Sequence, residues 1–410
     1  MANLQPVRGT RDILPDERQR HRFIEETARE AAQRYGYSEI ATPIFEFSDV
    51  FKRTLGDTSD IVTKEMYTFT DKGGDEVTLR PEGTAGVARM LISGGLAQNL
   101  PLKYFYRGPM FRYERPQKGR FRQFHQTGVE LLGVAEPLGD IEVIALGAAV
   151  LDGLGILSKA TLELNTLGNT ESRSAYREKL IAYFNDYRTD LSEDSQSRLE
   201  RNPLRILDSK DRRDREIITN APEFSDSLDA ESADFFAAVT AGLDALSIAY
   251  RLNSRLVRGL DYYCHTVFEF KTNELGSQDT LIGGGRYNGL IKLLGGKDIA
   301  GVGWAGGIER IMLLMKSISY KQEDIHLAIL DPSFKLHGIK IYDFLIKNNF
   351  SVYWNYKYNL KKSLSFANEK KINYLFIVGE NEKVNNNFSI KNLSNGKQDI
   401  VNIDNILDYL

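Results

Sequence analysis

Short strand-like runs at Met66 to Thr70, Glu76 to Leu79, Lys103 to Arg107 and Met110 to Glu114 stand close together, without room for crossover helices. Parallel strands need such crossovers and antiparallel strands do not, so the spacing predicts an antiparallel sheet. A helix precedes the runs. From Asp16 to Tyr35, the residues Phe23, Ile24, Thr27, Ala28, Ala31 and Ala32 recur at three-to-four spacing, and Gly36 stops the pattern. Tyr37 to Glu46 alternates like one strand, and Pro43 within it predicts an edge or interface position. Strand runs return at Leu256 to Arg258, Tyr263 to Lys271 and Thr280 to Ile282, followed by an apolar helix from Trp304 to Met315.

Two segments depart from this pattern. Residues 170–250 are charged and helix-prone, as in Arg177 to Asn185 and Ala230 to Leu252, and read as an inserted helical domain. After Gln322, strand runs at Ile325 to Leu330, Ser351 to Trp354, Tyr374 to Val378 and Phe388 to Ile390 appear. Helical stretches at Phe334 to Asn348 and Asn359 to Lys371 separate the first three. Such alternation predicts a small α/β layer domain. Composition shifts there too: from His326 onward there are eleven lysines, eight acids and no arginine, in a chain whose net charge is −3. The expected class is α+β. Residues 1–169 and 251–322 form a split core, 170–250 an insertion, and 323–410 a terminal module.

Near-zero net charge excludes a generic nucleic-acid coat but not a local site. A single cysteine, Cys264, excludes an intrachain disulfide and a thiolate-rich metal cluster, and fits a reducing compartment. The first residues lack the apolar segment of a secretion signal, and the longest apolar run, Val143 to Leu151, is too short to cross a bilayer. A cytoplasmic protein without membrane attachment is expected.

Between Lys103 and Arg122 seven basic residues stand against one acid, Glu114. Arginines here alternate with aromatics around a Pro-Gln-Lys-Gly turn. The run reads either as a polyanion site, since guanidinium forks match phosphate oxygens, or as a solvated basic hairpin. Gly301-Val-Gly-Trp-Ala-Gly306 has the glycine spacing of a dinucleotide-binding turn, but no apolar strand leads into it. No phosphate-cradling loop of the Gly-x4-Gly-Lys-Ser/Thr kind exists; Asp298 follows the nearest approach, Gly296-Lys297. If ATP is used, side chains must hold its phosphates. Three further segments read as chemistry or as turns: Thr78-Leu-Arg-Pro-Glu-Gly-Thr84, Val257-Arg-Gly-Leu-Asp-Tyr-Tyr263, and Gly283-Gly-Gly-Arg-Tyr-Asn288 with Gly303 to Arg310.

Together, and in this order, these segments resemble the histidyl-tRNA synthetases, members of class II, over essentially the whole chain. The resemblance implies a class II antiparallel sheet flanked by helices, with the helical insertion and a terminal anticodon-binding domain. The Pro43 segment with its helix is similar to the first class II motif, which forms the dimer interface in that family. Phe111 to Gln126 is similar to the second motif, and Gly303 to Arg310 to the third. Arg258 to Tyr263 is similar to the histidine-specific signature. By this resemblance Arg112 and Arg258 act on the α-phosphate of ATP, with Arg112 also reaching the amino-acid carboxylate. Phe124 and Arg310 sandwich adenine, and Glu114 meets its edge. Glu82, Thr84, Gln126, Glu130, Tyr262 and Tyr263 surround the substrate L-histidine. Arg115, Gln117 and Lys118 face the acceptor end of tRNA(His). ATP with Mg2+ and a homodimer are implied as well.

The chemistry of the residues agrees with that picture. Joining a carboxylate to ATP brings two anions together, so fixed guanidiniums on either side stabilise the charge that builds. Ionised carboxylates suit an ammonium and an imidazole N–H. The five histidines, His21, His125, His265, His326 and His337, show no metal-ligand spacing, and no side-chain metal site is expected. His125, flanked by site residues, either touches substrate or orients its loop. The alternative to an enzyme is a non-catalytic synthetase-like regulatory subunit of histidine biosynthesis. The terminal module and the presence of Arg112, Arg258 and Arg310 count against it, and a plain RNA-binding protein would not need the Glu82 and Tyr262–Tyr263 pocket.

Overall fold

The computed structural model describes residues 4–56, 59, 61–258, 260, 262–276, 279–315, 324–354, 356, 359–385, 387–402 and 405–406. The chain forms two compact units, residues 1–316 and 317–410. The expected boundary at 322/323 lies outside the described residues, as do Gly259 and Asp261 of the signature segment.

The first unit is built on eleven strands: β1 (Ser38–Ile40), β2 (Phe45–Phe47), β3 (Tyr67–Thr70), β4 (Glu76–Leu79), β5 (Leu102–Phe111), β6 (Gln123–Leu132), β7 (Thr161–Thr166), β8 (Tyr250–Leu252), β9 (Cys264–Lys271), β10 (Thr280–Arg286) and β11 (Gly301–Gly307). Eight form one sheet in the order β1-β5-β6-β11-β10-β9-β7-β8, antiparallel throughout except for the parallel edge strands β1 and β8. The other three form a small antiparallel sheet, β2-β4-β3.

The segment Tyr37 to Glu46 is not one strand. It divides at Pro43, which lacks the N–H a continuous ladder needs, and its halves join different sheets. The expected runs at 103–107 and 110–114 are one strand, β5. The gap between β4 and β5 holds a helix, Thr84–Ser93, because those strands belong to separate sheets. Leu256 to Arg258 is loop, and the helix expected to reach Leu252 ends at Ala245, ahead of β8.

The helix expected from Trp304 is strand to Gly307 and helix only over Ile308–Leu314. The reason is close packing. β11 runs between β6 and β10, and a Cβ at Gly303 would collide with the Glu130 carboxylate and the Val129 carbonyl. Trp304 turns to the other face, where its Nε1 donates to the Val143 carbonyl at 3.0 Å.

That other face carries the core. Helix Pro15–Arg34 lays Ile24, Ala28, Ala31 and Ala32 on it, and helix Pro137–Gly153 adds Val143, Ile144, Leu146 and Val150. Between β7 and β8 stand the helices Thr170–Asp186, Glu193–Arg201, Arg212–Ile218 and Ala230–Ala245. Val239 and Leu243 of the last belong to the core of the main sheet.

The second unit has a five-stranded sheet, β13-β12-β14-β15-β16, from β12 (Asp324–Ile329), β13 (Ser351–Trp354), β14 (Tyr374–Val378), β15 (Asn387–Asn392) and β16 (Gln398–Asn402). Its first three strands are parallel and its last two antiparallel. Helix Lys335–Lys347 buries Ile341 and Leu345 against Ile325, Leu327 and Phe376. Sequence reasoning missed β16, whose residues alternate only weakly. Among the described residues no helix is long and apolar enough to cross a membrane.

Candidate active site

The open face of the sheet is hollowed where β5, β6, β9, β10 and β11 pass one another. The hollow is lined by Glu82, Thr84, Arg112, Glu114, Phe124, Gln126, Arg258, Tyr262, Tyr263 and Arg310, residues drawn from four separate segments of sequence. Glu130 does not line it but lies beneath, 1% exposed. Arg115, Gln117 and Lys118 do not line it either. They stand exposed on the loop between β5 and β6, which closes on a Gln117–Arg120 bridge.

One end is cationic. Arg112 is anchored by its Nε to the Pro81 carbonyl at 2.9 Å, and its guanidinium carbon lies 5.3 Å from the centre of the Phe124 ring. Arg310 donates to the Thr280 carbonyl at 3.2 Å. Burial, then repulsion by Arg112 and Arg120, pulls the Arg310 guanidinium down to about 10. Burial likewise lowers Arg112, and Arg258 adds to the effect. Burial also works against charge on Arg258, but Glu269 and the two tyrosines together hold it above the usual arginine range. Arg258 pairs with Glu269, while its own Nε is buried without a hydrogen-bond partner. It reaches this place across Gly283, where a Cβ would stand 2.6 Å from both of its Nη atoms. Converging guanidiniums that lower one another's basicity form a site that gains from an anion.

The other end is acidic and aromatic. The Glu82 carboxylate accepts the backbone N–H groups of Thr84 at 2.6 Å and Ala85 at 2.9 Å, so it caps helix Thr84–Ser93. Thr84 Oγ1 donates to Glu130 Oε1 at 2.7 Å, and the Tyr287 hydroxyl bonds Oε2. Burial pushes Glu130 up to about 8, and it raises Glu82 as well. Tyr262 and Tyr263 are both buried, with ring centres 4.6 Å apart. Alternation would have exposed one of them, but they precede β9 in a turn and both fold inward. The buried Gln126 Oε1 has no hydrogen-bond partner. Buried carboxyls and an open amide acceptor suit a small ligand bearing N–H groups.

The first unit matches the family model described as Histidyl-tRNA synthetase over residues 9–311. A histidine--tRNA ligase of Rhodospirillum rubrum is 53% identical over 411 residues, covering 100% of this chain and 99% of that one. The chain belongs to the histidyl-tRNA synthetase family. Residues 325–410 match the family model described as Anticodon binding domain. The crystal structure of apo S. aureus histidyl-tRNA synthetase superposes with a TM-score of 0.82 at 35% identity, covering 99% of each chain. A Bacillus halodurans structure described as an ATP phosphoribosyltransferase regulatory subunit/histidyl-tRNA synthetase shares the fold: TM-score 0.64, 23% identity, 88% of this chain and 96% of that one.

Within this family fold the site also uses residues that sequence reasoning did not nominate. Tyr287 and Tyr106 both direct their hydroxyls at Glu130, the latter at 3.4 Å. Tyr287 lies in the Gly283-Gly-Gly-Arg-Tyr-Asn segment already singled out, so its signal was present. Glu269 is the partner of Arg258. It was visible as one acid in the apolar run Thr-Val-Phe-Glu-Phe. Arg120 lines the cationic end and pairs with Glu114, which a count of basic residues could not single out. Arg286 pairs with Asp140, both fully buried, and fastens β10 to helix Pro137–Gly153.

Proposed function

We propose that the protein activates L-histidine with ATP to histidyl-adenylate and diphosphate, then transfers the histidyl group to tRNA(His) and releases AMP. The observation that carries the reading is one hollow holding Arg112, Arg258 and Arg310 at one end and Glu82 over buried Glu130 at the other. ATP lies at the cationic end, its adenine between Phe124 and Arg310 and its edge toward Glu114. Arg112 and Arg258 flank the α-phosphate. As the histidine carboxylate attacks, they stabilise the added negative charge, and the fixed geometry replaces a dedicated nucleophile or base. Gln126, Tyr262 and Tyr263 surround the imidazole, and Glu82, Thr84 and Glu130 hold the N–H groups of the amino acid.

Magnesium bound with ATP would supply shielding of the negative charge on the diphosphate. The nearby carboxylates Glu114 and Glu269 are each already engaged by an arginine, so neither is assigned to it. Arg115, Gln117 and Lys118 meet the acceptor end of the tRNA, and the unit from 323 onward meets its anticodon. Residues 170–250 are read as an insertion within the split core 1–169 and 251–322. A homodimer is supported by the apolar face of the small sheet, where Phe45, Phe47 and Phe69 are 57%, 59% and 49% exposed. A cytoplasmic location accords with the lone, unpaired Cys264.

Histidine-dependent exchange of labelled pyrophosphate into ATP tests the core of this proposal. Exchange is expected with histidine and not with the other amino acids. A folded protein that binds tRNA yet shows no exchange would be a regulator or a binder instead.

A further inference from the structure

Three side chains from three elements meet behind the strand that carries Phe124. His21 stands on helix Pro15–Arg34, His125 on β6, and Glu309 near the start of helix Ile308–Leu314. One ring nitrogen of each histidine and one Glu309 oxygen all lie within 4.8 Å of one another. His125 Nδ1 and Glu309 Oε1 are 2.8 Å apart, and the His125 backbone N–H donates to both Glu309 oxygens at 3.0 Å. The two imidazoles meet edge to face with centres 5.2 Å apart. His21 is fully buried, yet neither of its ring nitrogens has a hydrogen-bond partner. Glu17 Oε1, 3.9 Å from His21 Nε2, is beyond hydrogen-bond reach. Leaving a buried polar group unsatisfied is costly, so this arrangement calls for something that takes the imidazole lone pair.

We propose that His21, His125 and Glu309 bind a divalent transition-metal ion, with zinc the best match. Two imidazole nitrogens and a carboxylate oxygen form a donor set that zinc accepts, with water in the fourth position. Bonds of about 2.1 Å in a tetrahedron place ligand atoms roughly 3.4 Å apart, so the widest separation, within 4.8 Å, must close by up to about 1.4 Å. The water reaches the ion from a surface cleft that His125 lines together with Ile13, Arg18 and Pro109. Three cations line that cleft: Arg18 is compensated by Glu25 and Arg107 by Glu26 and Glu39, and Arg22 is the third. Binding takes the neutral His125 tautomer whose one proton is on Nε2, so that the Nδ1 lone pair faces the ion beside Glu309. His125 follows Phe124 and Glu309 precedes Arg310, so the ion clamps together the two segments that carry those pocket residues. A search for linear ligand spacing could not reveal the site, because each ligand comes from a different element.

The full-length protein is stripped with a chelator and titrated with Co2+ and then Zn2+, with neither ATP nor histidine present. Stoichiometric, saturable binding is expected, with visible Co2+ absorption that Zn2+ displaces. His21→Phe is expected to weaken binding by more than about 100-fold, beyond the 10–100-fold of a lost outer-shell partner. X-ray absorption of the zinc-loaded wild type is expected to show two imidazole ligands, a readout independent of how any variant folds. Absence of saturable binding by the wild type, unchanged affinity in a folded His21→Phe, or a zinc shell without two imidazoles each overturns the proposal.

Discussion

Arg258 is buried beside a carboxylate and reaches its place only because position 283 has no side chain. Its replacement by alanine leaves Glu269 without that partner and removes one of two cations facing the α-phosphate. Adenylate formation by Arg258→Ala is expected to fall about 10²–10³-fold, the usual effect of losing one charge-stabilising donor. Pyrophosphate exchange measures this, and unchanged exchange would remove Arg258 from the mechanism. Glu130 carries a second prediction. With its carboxyl raised to about 8 by burial, it is largely protonated at neutral pH in the free protein. A cationic ligand favours the ionised form, so histidine must displace a proton below that value. Histidine affinity is therefore expected to weaken as pH falls from 8 toward 7, by at most about tenfold per unit. In Glu130→Gln the affinity and this slope both drop, and any slope that remains reports titration of free histidine. The same raised value favours the folded state at low pH, and the advantage is lost as pH rises through 8. Glu130→Gln should accordingly gain in melting temperature relative to the wild type as pH increases over that range. A calorimetric series from pH 5 to 9 checks the sign. The charged and aromatic groups of the site were legible because chemistry fixes residue type. Tyr106 was not, because its role arises from strand register, which pairs it with Gly128, and Glu269 showed only as an acid in an apolar run, its role set by lying opposite Gly283.

Strand boundaries followed the same division. Elements with clear periodicity, such as helix Pro15–Arg34 and strands β4 and β13, were readable from local pattern. β11 was not, because its glycines serve close sheet packing and carry no alternation. β6 escaped notice because its polar start, Gln123 to Thr127, masked its apolar end. Pro43 marked a discontinuity, but only the fold shows that the chain changes sheets there. Beyond it, β2 and β3 point Phe45, Phe47 and Phe69 to one side, while Glu46 and Thr78 turn inward to Arg89 and Ser48. An exposed apolar face of this kind marks an association surface. Phe47→Asp is expected to shift the protein from dimer to monomer in sedimentation velocity while its circular dichroism is retained. A dimer that persists would place the interface elsewhere.

At the scale of the molecule, the two units have separate cores. Every residue proposed to touch ATP or histidine lies before 316, and the core of the second unit is built wholly from its own strands and helices. The composition break near 325 was legible as a change in lysine and arginine use, since surface charge varies without disturbing a core. Because the units fold around different cores, removing residues 324–410 should leave the first able to activate histidine. In the proposed reading, transfer to tRNA draws on both, since binding contributed by a second unit raises affinity through effective concentration. The truncated protein is expected to keep pyrophosphate exchange within about twofold of the full chain. Its kcat/KM for charging tRNA(His) should fall more than about tenfold, a loss above 1.4 kcal/mol of transition-state binding. Measuring the two activities on one preparation separates the outcomes. If both fall together, the second unit supports the fold of the first. If neither falls, the acceptor-facing loop carries recognition alone, and Arg115→Ala in the full chain should then abolish charging.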